Sequence, residues 1–394
     1  MKVAILGNQA RAMSNFWTVL IRRLVRSGHD VLCIIPYEPG GSSSQPPEGN
    51  RIEKGGAFWE EKLVSLGVRI AHYPLERKGL NPLRDLATLF ALRRILAREQ
   101  PDRLFAFTIK PVIYGSIAAA LAGHPSRQSR FCMVTGLGYM FEGGSFVKRV
   151  LMQVARGLYR LAFSCVGGVF FQNEDDVALF RRLSILPRTM RVHMSRGCGV
   201  DTEFFAEQPR AHAPPVFLYI GRLLEAKGLR DFAAAARKVK AEYPEVSFHI
   251  LGPAEQGPGA VPLEEVLGWQ AEGSVEYLGV TDDVRPYIAA ATAVVLPSWR
   301  EGTPTSLMEA MSCGRAVIAA DAPGSREVVR NGSNGFLVPV GDAGALANAV
   351  ESFILEPELA VRMGVAGREL SCHEFRAENV AAGLLRQMAI PDRE

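Results

Sequence analysis

The chain has 394 residues, of which 48% are hydrophobic and 22% charged, and its formal net charge is +4. This balance is typical of a folded globular protein and excludes a disordered or fibrous chain. Because a single hydrophobic core stops growing at roughly 250 to 300 residues, we expect two domains.

Charge is distributed unevenly along the chain. Residues 1–200 contain 28 Lys and Arg against 14 Asp and Glu, whereas the remainder contains 17 against 27. A basic half favours contact with an anionic surface or a phosphate-bearing substrate. Such charge also serves solubility alone, and composition does not separate the two interpretations.

Cysteine usage and the N-terminus bear on the compartment. The six cysteines are widely spaced, without a CxxC pair or a zinc-like His/Cys cluster, so reduced and mostly buried thiols are expected. The N-terminus, MKVAILGNQ, lacks the pattern of a secretory signal. No apolar stretch approaches the roughly 20 residues of a membrane span. We therefore expect a cytoplasmic protein without a transmembrane helix.

The first half alternates apolar strands with helical patterns. Strands are predicted at 3–7, 31–36, 68–75, 103–108, 130–136 and 169–173, and helices at 19–25, 83–98 and 114–121. The Gly/Ser/Pro-rich stretch 40–50 predicts a surface loop. This alternation predicts a parallel sheet covered on both faces.

A second series follows the Pro-containing stretch 208–215. Strands are predicted at 216–222, 246–252, 275–279, 293–298, 316–320 and 335–339, with a helix at 229–240. We expect an N-terminal domain over 1–198, a C-terminal domain over 199–370, and a helical segment over 371–394 that packs back toward the N-terminal domain. The predicted fold class is α/β, with two Rossmann-like, doubly wound domains facing across a cleft and ligands at the carboxyl ends of the strands.

Two glutamates lie around the start of a predicted helix in the second series. Glu301 follows a strand, and Glu309 lies eight residues on, about one turn inside a helix that begins near Thr305 or Ser306. A helix N-terminus offers free N–H groups and a positive partial charge to phosphate or sugar hydroxyls. Carboxylate oxygens are suited to bind a diol.

A basic loop precedes this segment along the chain. GRLLEAKG (221–228) directly follows a strand and contains Arg222 and Lys227. The fork of donors on arginine and the point charge of lysine can converge on one diphosphate.

Together these residues resemble the retaining glycosyltransferases of the GT-B fold, family 4 (glycosyl transferases group 1). The segment from Pro297 to Ala310 matches the family pattern P-S-x-x-E-G-x-P-x-x-x-x-E-A throughout, and 221–228 matches G-R-x-x-x-x-K-G. The resemblance implies that Arg222, Lys227 and Glu301 are catalytic, with Glu301 on the donor sugar and both cations on the leaving diphosphate. It implies that the nucleotide-sugar is further bound by Glu309 on the ribose, and by Gly221, Gly302, Thr303, Pro304, Thr305, Ser306 and Leu307.

The first half resembles a subgroup of this family that acts on polyprenyl-diphosphate-linked sugars. TIKPVIYGSIAA (108–119) and VTGLGYMF (134–141) place glycines and polar groups directly after predicted strands. The resemblance implies acceptor contacts by Arg11, Asn15, Lys110, Thr135, Gly136 and Gly138. In the subgroup an arginine often follows an Asn/His-Phe pair, whereas here Trp17 does, and Arg11 is its possible substitute. The glycine loops are also explained by tight packing alone.

Three acidic segments are candidates for a metal-binding motif or a structural role. No DxD is placed like those of metal-dependent transferases, since Asp282 and Asp283 are adjacent and 174–176 begins a helix. We expect no metal and no cofactor, the nucleotide-sugar being a co-substrate. Asp201, in GCGVDTEFF (197–205), is expected to cap a turn.

The segment 148–163 has the pattern of a basic amphipathic helix. Lys148, Arg149, Arg156 and Arg160 are interspersed with apolar residues. Such a helix can lie among anionic headgroups, although a core helix with a solvated basic edge has the same pattern.

The predicted function is transfer of a hexose or N-acetylhexosamine, with retention, from a nucleotide-sugar to a polyprenyl-diphosphate-linked saccharide, and a UDP-sugar is the expected donor. The expected setting is the cytoplasmic face of the membrane, bound peripherally through the basic N-terminal domain, with no nucleic-acid partner. The alternatives are a UDP-sugar 2-epimerase of the same architecture and a non-catalytic nucleotide-sugar-binding protein.

Overall fold

The structure is a computed structural model, which describes residues 1–37, 55–77, 81–123, 126–136, 146–209 and 214–393, with the backbone alone at 146–148. The predicted loop 40–50 and Gly138 lie outside these residues. The chain divides into two compact units. The first unit runs to Cys198 and resumes at Ala377, and the second runs from Gly199 to Arg376.

The first unit is built on a seven-stranded sheet in which every strand pair is parallel, in the order β3-β2-β1-β4-β5-β6-β7. Apart from their first residues, five of its strands, β1, β2, β4, β5 and β6, are apolar runs buried along their length, as expected where helices cover both faces. The strands are β1 (Lys2–Leu6), β2 (Asp30–Pro36), β3 (Arg69–Tyr73), β4 (Arg103–Phe107), β5 (Arg130–Val134), β6 (Gly168–Phe171) and β7 (Val192–Met194).

Two groups of helices cover this sheet, each with its own core. One group consists of α1 (Ala10–Phe16), α2 (Thr18–Arg26), α3 (Gly56–Val64) and α15 (Ala377–Gln387). The other consists of α4 (Pro82–Glu99), α5 (Ser116–Leu121), α6 (Phe146–Ser164) and α7 (Glu174–Arg182). A π-helical turn, Pro111–Gly115, precedes α5, and a 3₁₀ turn, Arg127–Ser129, precedes β5.

The second unit has a six-stranded sheet, again with parallel strand pairs, in the order β10-β9-β8-β11-β12-β13. Its strands are β8 (Val216–Ile220), β9 (Ser247–Leu251), β10 (Glu276–Tyr277), β11 (Ala293–Leu296), β12 (Ala316–Ala320) and β13 (Gly335–Val338). Its helices are α8 (Leu229–Glu242), α9 (Leu263–Ala271), α10 (Arg285–Ala290), α11 (Thr305–Ser312), α12 (Ser325–Val328), α13 (Ala343–Leu355) and α14 (Pro357–Glu374), with a 3₁₀ turn at Glu225–Lys227.

The predicted α/β class with two Rossmann-like, doubly wound parallel sheets is confirmed. The predicted strands are all present, although most end one or two residues earlier than expected. Sequence reasoning missed β7, a three-residue strand with only half-buried and exposed side chains. The segment that returns to the first unit begins at Ala377 rather than at 371, because residues 371–374 complete α14.

Candidate active site

Two loops leave the second sheet where its strand order reverses. β8 pairs with β9 on one side and with β11 on the other. Open α/β sheets bind ligands outside the carboxyl ends of strands at such a switch point. The loops there are 221–228, after β8, and 297–304, after β11, which are the two segments with the sequence motifs.

Lys227 and Glu301 meet across these two loops. The Lys227 ammonium donates a hydrogen bond to Oε1 of Glu301 and forms an ion pair with it. The side chains are 21% and 11% exposed, respectively, so water screens the pair only in part. The structure thus places a cation that suits phosphate beside a carboxylate that suits sugar hydroxyls.

Close backbone contacts fix both loops. Gly228 has a φ of +67°, and a Cβ there would lie 2.1 Å from the carbonyl oxygen of Pro297. The Trp299 N–H donates to the Ala226 carbonyl at 2.9 Å, and the Glu301 N–H donates to the Pro323 carbonyl at 2.9 Å. The relative position of Lys227 and Glu301 is therefore set by the backbone as well as by their ion pair.

The N-terminus of α11 lies directly after Glu301. The helix begins at Thr305, as expected, and its N-cap residue Pro304 offers no side-chain acceptor to the first N–H groups. Among the described residues, the buried hydroxyls of Ser298, Thr303 and Ser325 have no hydrogen-bond partner. Uncapped N–H groups beside unpartnered hydroxyls form a site to which an anion can bind.

Glu309 lies one turn inside α11 and is half-buried. No hydrogen bond or ion pair joins its carboxylate to a side chain in the part of the chain that the structure describes. Desolvation by burial raises the pKa of Glu309 to about 8. Its carboxyl oxygens thus remain available to a bound diol.

Arg222 is paired differently from Lys227. Its guanidinium is exposed and lies 3.3 Å from Oε1 of Glu255, a partner that sequence reasoning missed.

The Arg222 carbonyl accepts a hydrogen bond from the buried Tyr219 hydroxyl at 3.0 Å. Burial raises the pKa of Tyr219, the Glu301 carboxylate raises it further, and Arg222 opposes this, so both charges act at this hydroxyl. Gly221 lies beside it, and a Cβ there would be 3.0 Å from the same oxygen.

The first sheet reverses its strand order at β1 and β4, and Thr108 follows β4. Thr108 has a φ of +69°, which is unusual for a β-branched residue, and its buried hydroxyl has no partner among the described residues. The π-helical turn begins three residues later. Strain and π-turns occur often at functional sites. The segment 108–119 stands out in the sequence, but nothing there signals the positive φ of Thr108, because this strain depends on the folded backbone.

Lys110 has partners within its own unit. Its ammonium lies 2.6 Å from Oδ1 of Asp85 and donates to the Glu76 carbonyl at 2.8 Å. The Tyr114 hydroxyl donates to the other Asp85 oxygen at 2.8 Å. The expected cation at this strand end is present, but Asp85, which lies 25 residues earlier, compensates its charge.

A cavity of about 720 Å³ lies close to this network in the first unit. It is formed by the ends of β2 and β3 and by the first turns of α4. Its lining includes Tyr37, His72, Tyr73, Glu76, Arg84 and Thr88. Aromatic faces with a few polar groups are typical of sites for small organic ligands.

The remaining predicted acceptor residues lie in two segments, the helix α1, which contains Arg11 and Asn15, and the residues that follow β5. The Arg11 guanidinium lies over the Trp59 ring, 5.7 Å from its centroid, and Asn15 is exposed. Trp17 is buried against Phe105 and Phe107, so the departure from the subgroup's arginine fills a core position.

Thr135 and Gly136 follow β5 and are half-buried, whereas Gly138 lies outside the described residues.

Asp201 has the turn-capping role that the sequence predicted for it, since its carboxylate accepts from the N–H groups of Glu203 and Phe204 at 3.2 and 2.9 Å. All six cysteines are free thiols, three of them buried. Within the described ranges, no three His, Cys, Asp or Glu side chains gather into a metal-binding group. None of the described helices combines the length and apolar character needed to cross a bilayer.

Comparison with known proteins agrees with this architecture. Residues 214–356 match the family model of the glycosyl transferases group 1, and residues 12–194 match that of the glycosyl transferase 4-like domain. The chain is 32% identical over 296 residues to the alpha-maltose-1-phosphate synthase of Mycolicibacterium smegmatis, covering 68% of this chain and 72% of that protein. The chain therefore belongs to the group 1 glycosyltransferases, as its motifs indicated.

Two further similarities extend along nearly the whole chain. One is to the N,N'-diacetylbacillosaminyl-diphospho-undecaprenol alpha-1,3-N-acetylgalactosaminyltransferase of Campylobacter jejuni, with 26% identity over 91% of this chain and 90% of that protein. The other is to the crystal structure of Anabaena HepE in complex with UDP, with a TM-score of 0.75 and 18% identity over 99% and 100% of the two chains. This second likeness shows that the GT-B fold is shared.

Proposed function

We propose that this protein is a retaining glycosyltransferase that moves a hexose or N-acetylhexosamine from a UDP-sugar to a polyprenyl-diphosphate-linked saccharide. The observation that carries the proposal is the contact between Lys227 and Glu301 beside the uncapped N-terminus of α11. The name of the Campylobacter relative, a transferase acting on a diphospho-undecaprenol-linked sugar, supports the choice of acceptor.

In the proposed donor complex, the diphosphate lies at the α11 N-terminus, and Lys227 and Arg222 neutralise the charge that develops as it leaves. Glu301 accepts hydrogen bonds from the donor sugar, and Glu309 from the ribose hydroxyls. The backbone over 302–307 and Gly221 complete the donor site. Diphosphate binding draws Lys227 partly away from Glu301, which frees carboxylate oxygen for the sugar.

For the chemical step we propose front-face displacement. The acceptor hydroxyl oxygen attacks the anomeric carbon from the side of the departing diphosphate, and a diphosphate oxygen takes the acceptor proton. The new glycosidic bond forms on the face where the old one breaks, so the anomeric configuration is retained. No side chain then has to act as a general base, and the charges of Lys227 and Arg222 stabilise the leaving group in place of a metal ion.

On the acceptor side we propose contacts by Arg11, Asn15, Lys110, Thr135 and Gly136, with the acceptor saccharide in the cavity of the first unit. In this proposal Lys110 contacts the acceptor while its ammonium remains ion-paired with the Asp85 carboxylate. The basic first half and α6 bring the protein to an anionic membrane surface on the cytoplasmic side. Arg149 and Arg160 of α6 are exposed.

The test is nucleotide release from UDP-, GDP- and ADP-sugars, with and without a short-chain polyprenyl-diphosphate disaccharide as acceptor. We expect release from one UDP-sugar that depends on the acceptor, and a product whose anomeric coupling constant by NMR matches that of the donor. Turnover without acceptor that yields the C2 epimer would instead identify the epimerase. Donor binding without turnover under every condition would contradict the catalytic proposal.

A further inference from the structure

The helices α4, α5 and α6 carry exposed apolar side chains on their outer surfaces. On α4, Leu83 and Phe90 are 76% and 54% exposed, and on α6, Val154 is 55% exposed. Among the side chains that the structure describes, the exposed large apolar residues of these helices are Leu83, Leu86 and Phe90 on α4, Leu121 on α5, and Val150, Val154 and Leu161 on α6. Soluble surfaces expose scattered apolar residues, but a group along neighbouring helices marks an interaction surface.

These side chains lie on helices that cover the same face of the first sheet. The buried residues of the three helices, such as Leu92, Ala118 and Tyr159, belong to one core. α4 packs against α5, and α5 packs against α6. On α4 and α6 the exposed apolar residues recur at helical spacing, so they form stripes opposite the buried ones.

The charge on these helices is almost entirely positive. Together they contain eight Lys and Arg residues against two acidic ones. The two acidic residues are already paired, Asp85 with Lys110 and Glu99 with Arg69. Arg94 and Arg160 are exposed beside the apolar stripes.

We propose that α4, α5 and α6 form one docking face for an anionic lipid bilayer, and that α4 is its main apolar contact. Leu83, Leu86 and Phe90 enter the boundary between headgroups and acyl chains, and the exposed arginines bind lipid phosphates. A protein partner of ordinary composition would leave these arginines without counter-charges, whereas anionic headgroups supply them. The inference rests on the proposed function, since a lipid-linked acceptor is held in such a bilayer.

The test is flotation of the full chain with vesicles of phosphatidylcholine alone or with 30% phosphatidylglycerol. We expect binding to the anionic vesicles only, weakened by high salt. The double variant Leu86→Ser/Phe90→Ser should lower the partition coefficient about tenfold or more, given the apolar area that it removes. Arg94→Gln should lower the partition coefficient by about fivefold, and only on the anionic vesicles.

The matched control is Leu267→Ser/Leu355→Ser, which replaces two exposed leucines of the second unit and should bind vesicles as wild type does. Circular dichroism and gel filtration of each variant establish that its fold and oligomeric state are unchanged. The proposal is overturned if the α4 variant binds like wild type, or if only Val154→Ser/Leu161→Ser on α6 reduces binding. A wild-type dimer that the α4 variant dissociates would overturn it also, since the face would then join two copies.

A second readout separates this inference from the proposed function. With a short-chain, water-soluble acceptor the α4 variant should turn over at the wild-type rate, whereas with a long-chain acceptor in vesicles its rate should fall. Wild-type transfer to the soluble acceptor without vesicle binding would overturn the docking face alone. Vesicle binding without transfer to any acceptor would contradict the proposed function and leave the docking face supported.

Discussion

The two sheets reverse their strand order in the same way, yet the carboxylate that pairs with the cation at each switch point comes from a different part of the chain. In the second unit, Lys227 and Glu301 come from loops that the sequence marks with dense motifs, and Arg222 remains exposed. In the first unit, the corresponding cation, Lys110, is compensated by Asp85 from a helix far earlier in the chain. The cations at both switch points are therefore paired with carboxylates. The second switch point adds the exposed Arg222, which pairs with Glu255, whereas the first has the strained Thr108.

The most severe test of this comparison is removal of the Glu301 carboxylate. We expect Glu301→Gln to lower kcat/KM for transfer by about 10²- to 10³-fold, because the side chain acts at the reacting sugar. The measurement is nucleotide release at saturating and subsaturating donor. The control is Glu264→Gln, at an exposed glutamate of α9, which should be without effect. If the Glu301 variant kept the wild-type kcat/KM, the donor site would not lie at this switch point.

Next in size is the backbone contact that holds the two loops together. Gly228→Ala should lower the free energy of unfolding by about 2 to 3 kcal/mol, because the new Cβ meets the Pro297 carbonyl and the residue keeps a positive φ. Gly273→Ala is the matched control, since its φ is +76° with nothing within 4 Å, and it should cost about 1 kcal/mol. Urea denaturation measures both, and equal losses would show that the close approach is easily relaxed.

Sequence reasoning succeeded where the chemistry lies in consecutive residues. The helix start at Thr305, the strand before Glu301 and the turn capped by Asp201 follow from local patterns of a few residues. It did not find partners that are distant in sequence. Glu255 beside Arg222 and Asp85 beside Lys110 are brought there by the fold, and the positive φ of Thr108 is a property of the folded backbone.

The first switch point is tested by separating stability from acceptor binding. Lys110→Met should lower the free energy of unfolding by about 1 to 3 kcal/mol, because it leaves the Asp85 carboxylate without its cation. The double variant Lys110→Met/Asp85→Asn should recover part of this loss. Acceptor KM measured on both variants decides the role of the lysine. If the acceptor KM increases in both variants, the proposed acceptor contact is supported. If the acceptor KM is unchanged, Lys110 only stabilises the fold.

A smaller effect is expected from the carboxyl of Glu309, whose pKa is raised by desolvation from 4.5 to about 8. Between these pH values the folded protein binds a proton that the unfolded chain releases, so its stability falls as the pH rises through this window. Glu309→Gln has no carboxyl group to titrate, so its stability does not fall in this way. The free energy of unfolding of the variant minus that of wild type should therefore increase from pH 5 to pH 8.5. Urea denaturation at the two pH values measures this difference, and a constant difference would contradict the raised pKa.

The smallest predicted effect is that of metal removal, and it bears on the same comparison. If Lys227, Arg222 and the α11 N-terminus supply the positive charge for the leaving diphosphate, excess EDTA should leave the transfer rate unchanged. Added Mg²⁺ or Mn²⁺ should then not rescue Lys227→Ala, because a hexacoordinated ion does not reproduce a point charge held beside Glu301. Loss of activity in EDTA, restored by one of these ions, would instead show that protein cations do not suffice. Glu301 would then bind a metal ion, and that ion rather than Lys227 and Arg222 would contact the diphosphate.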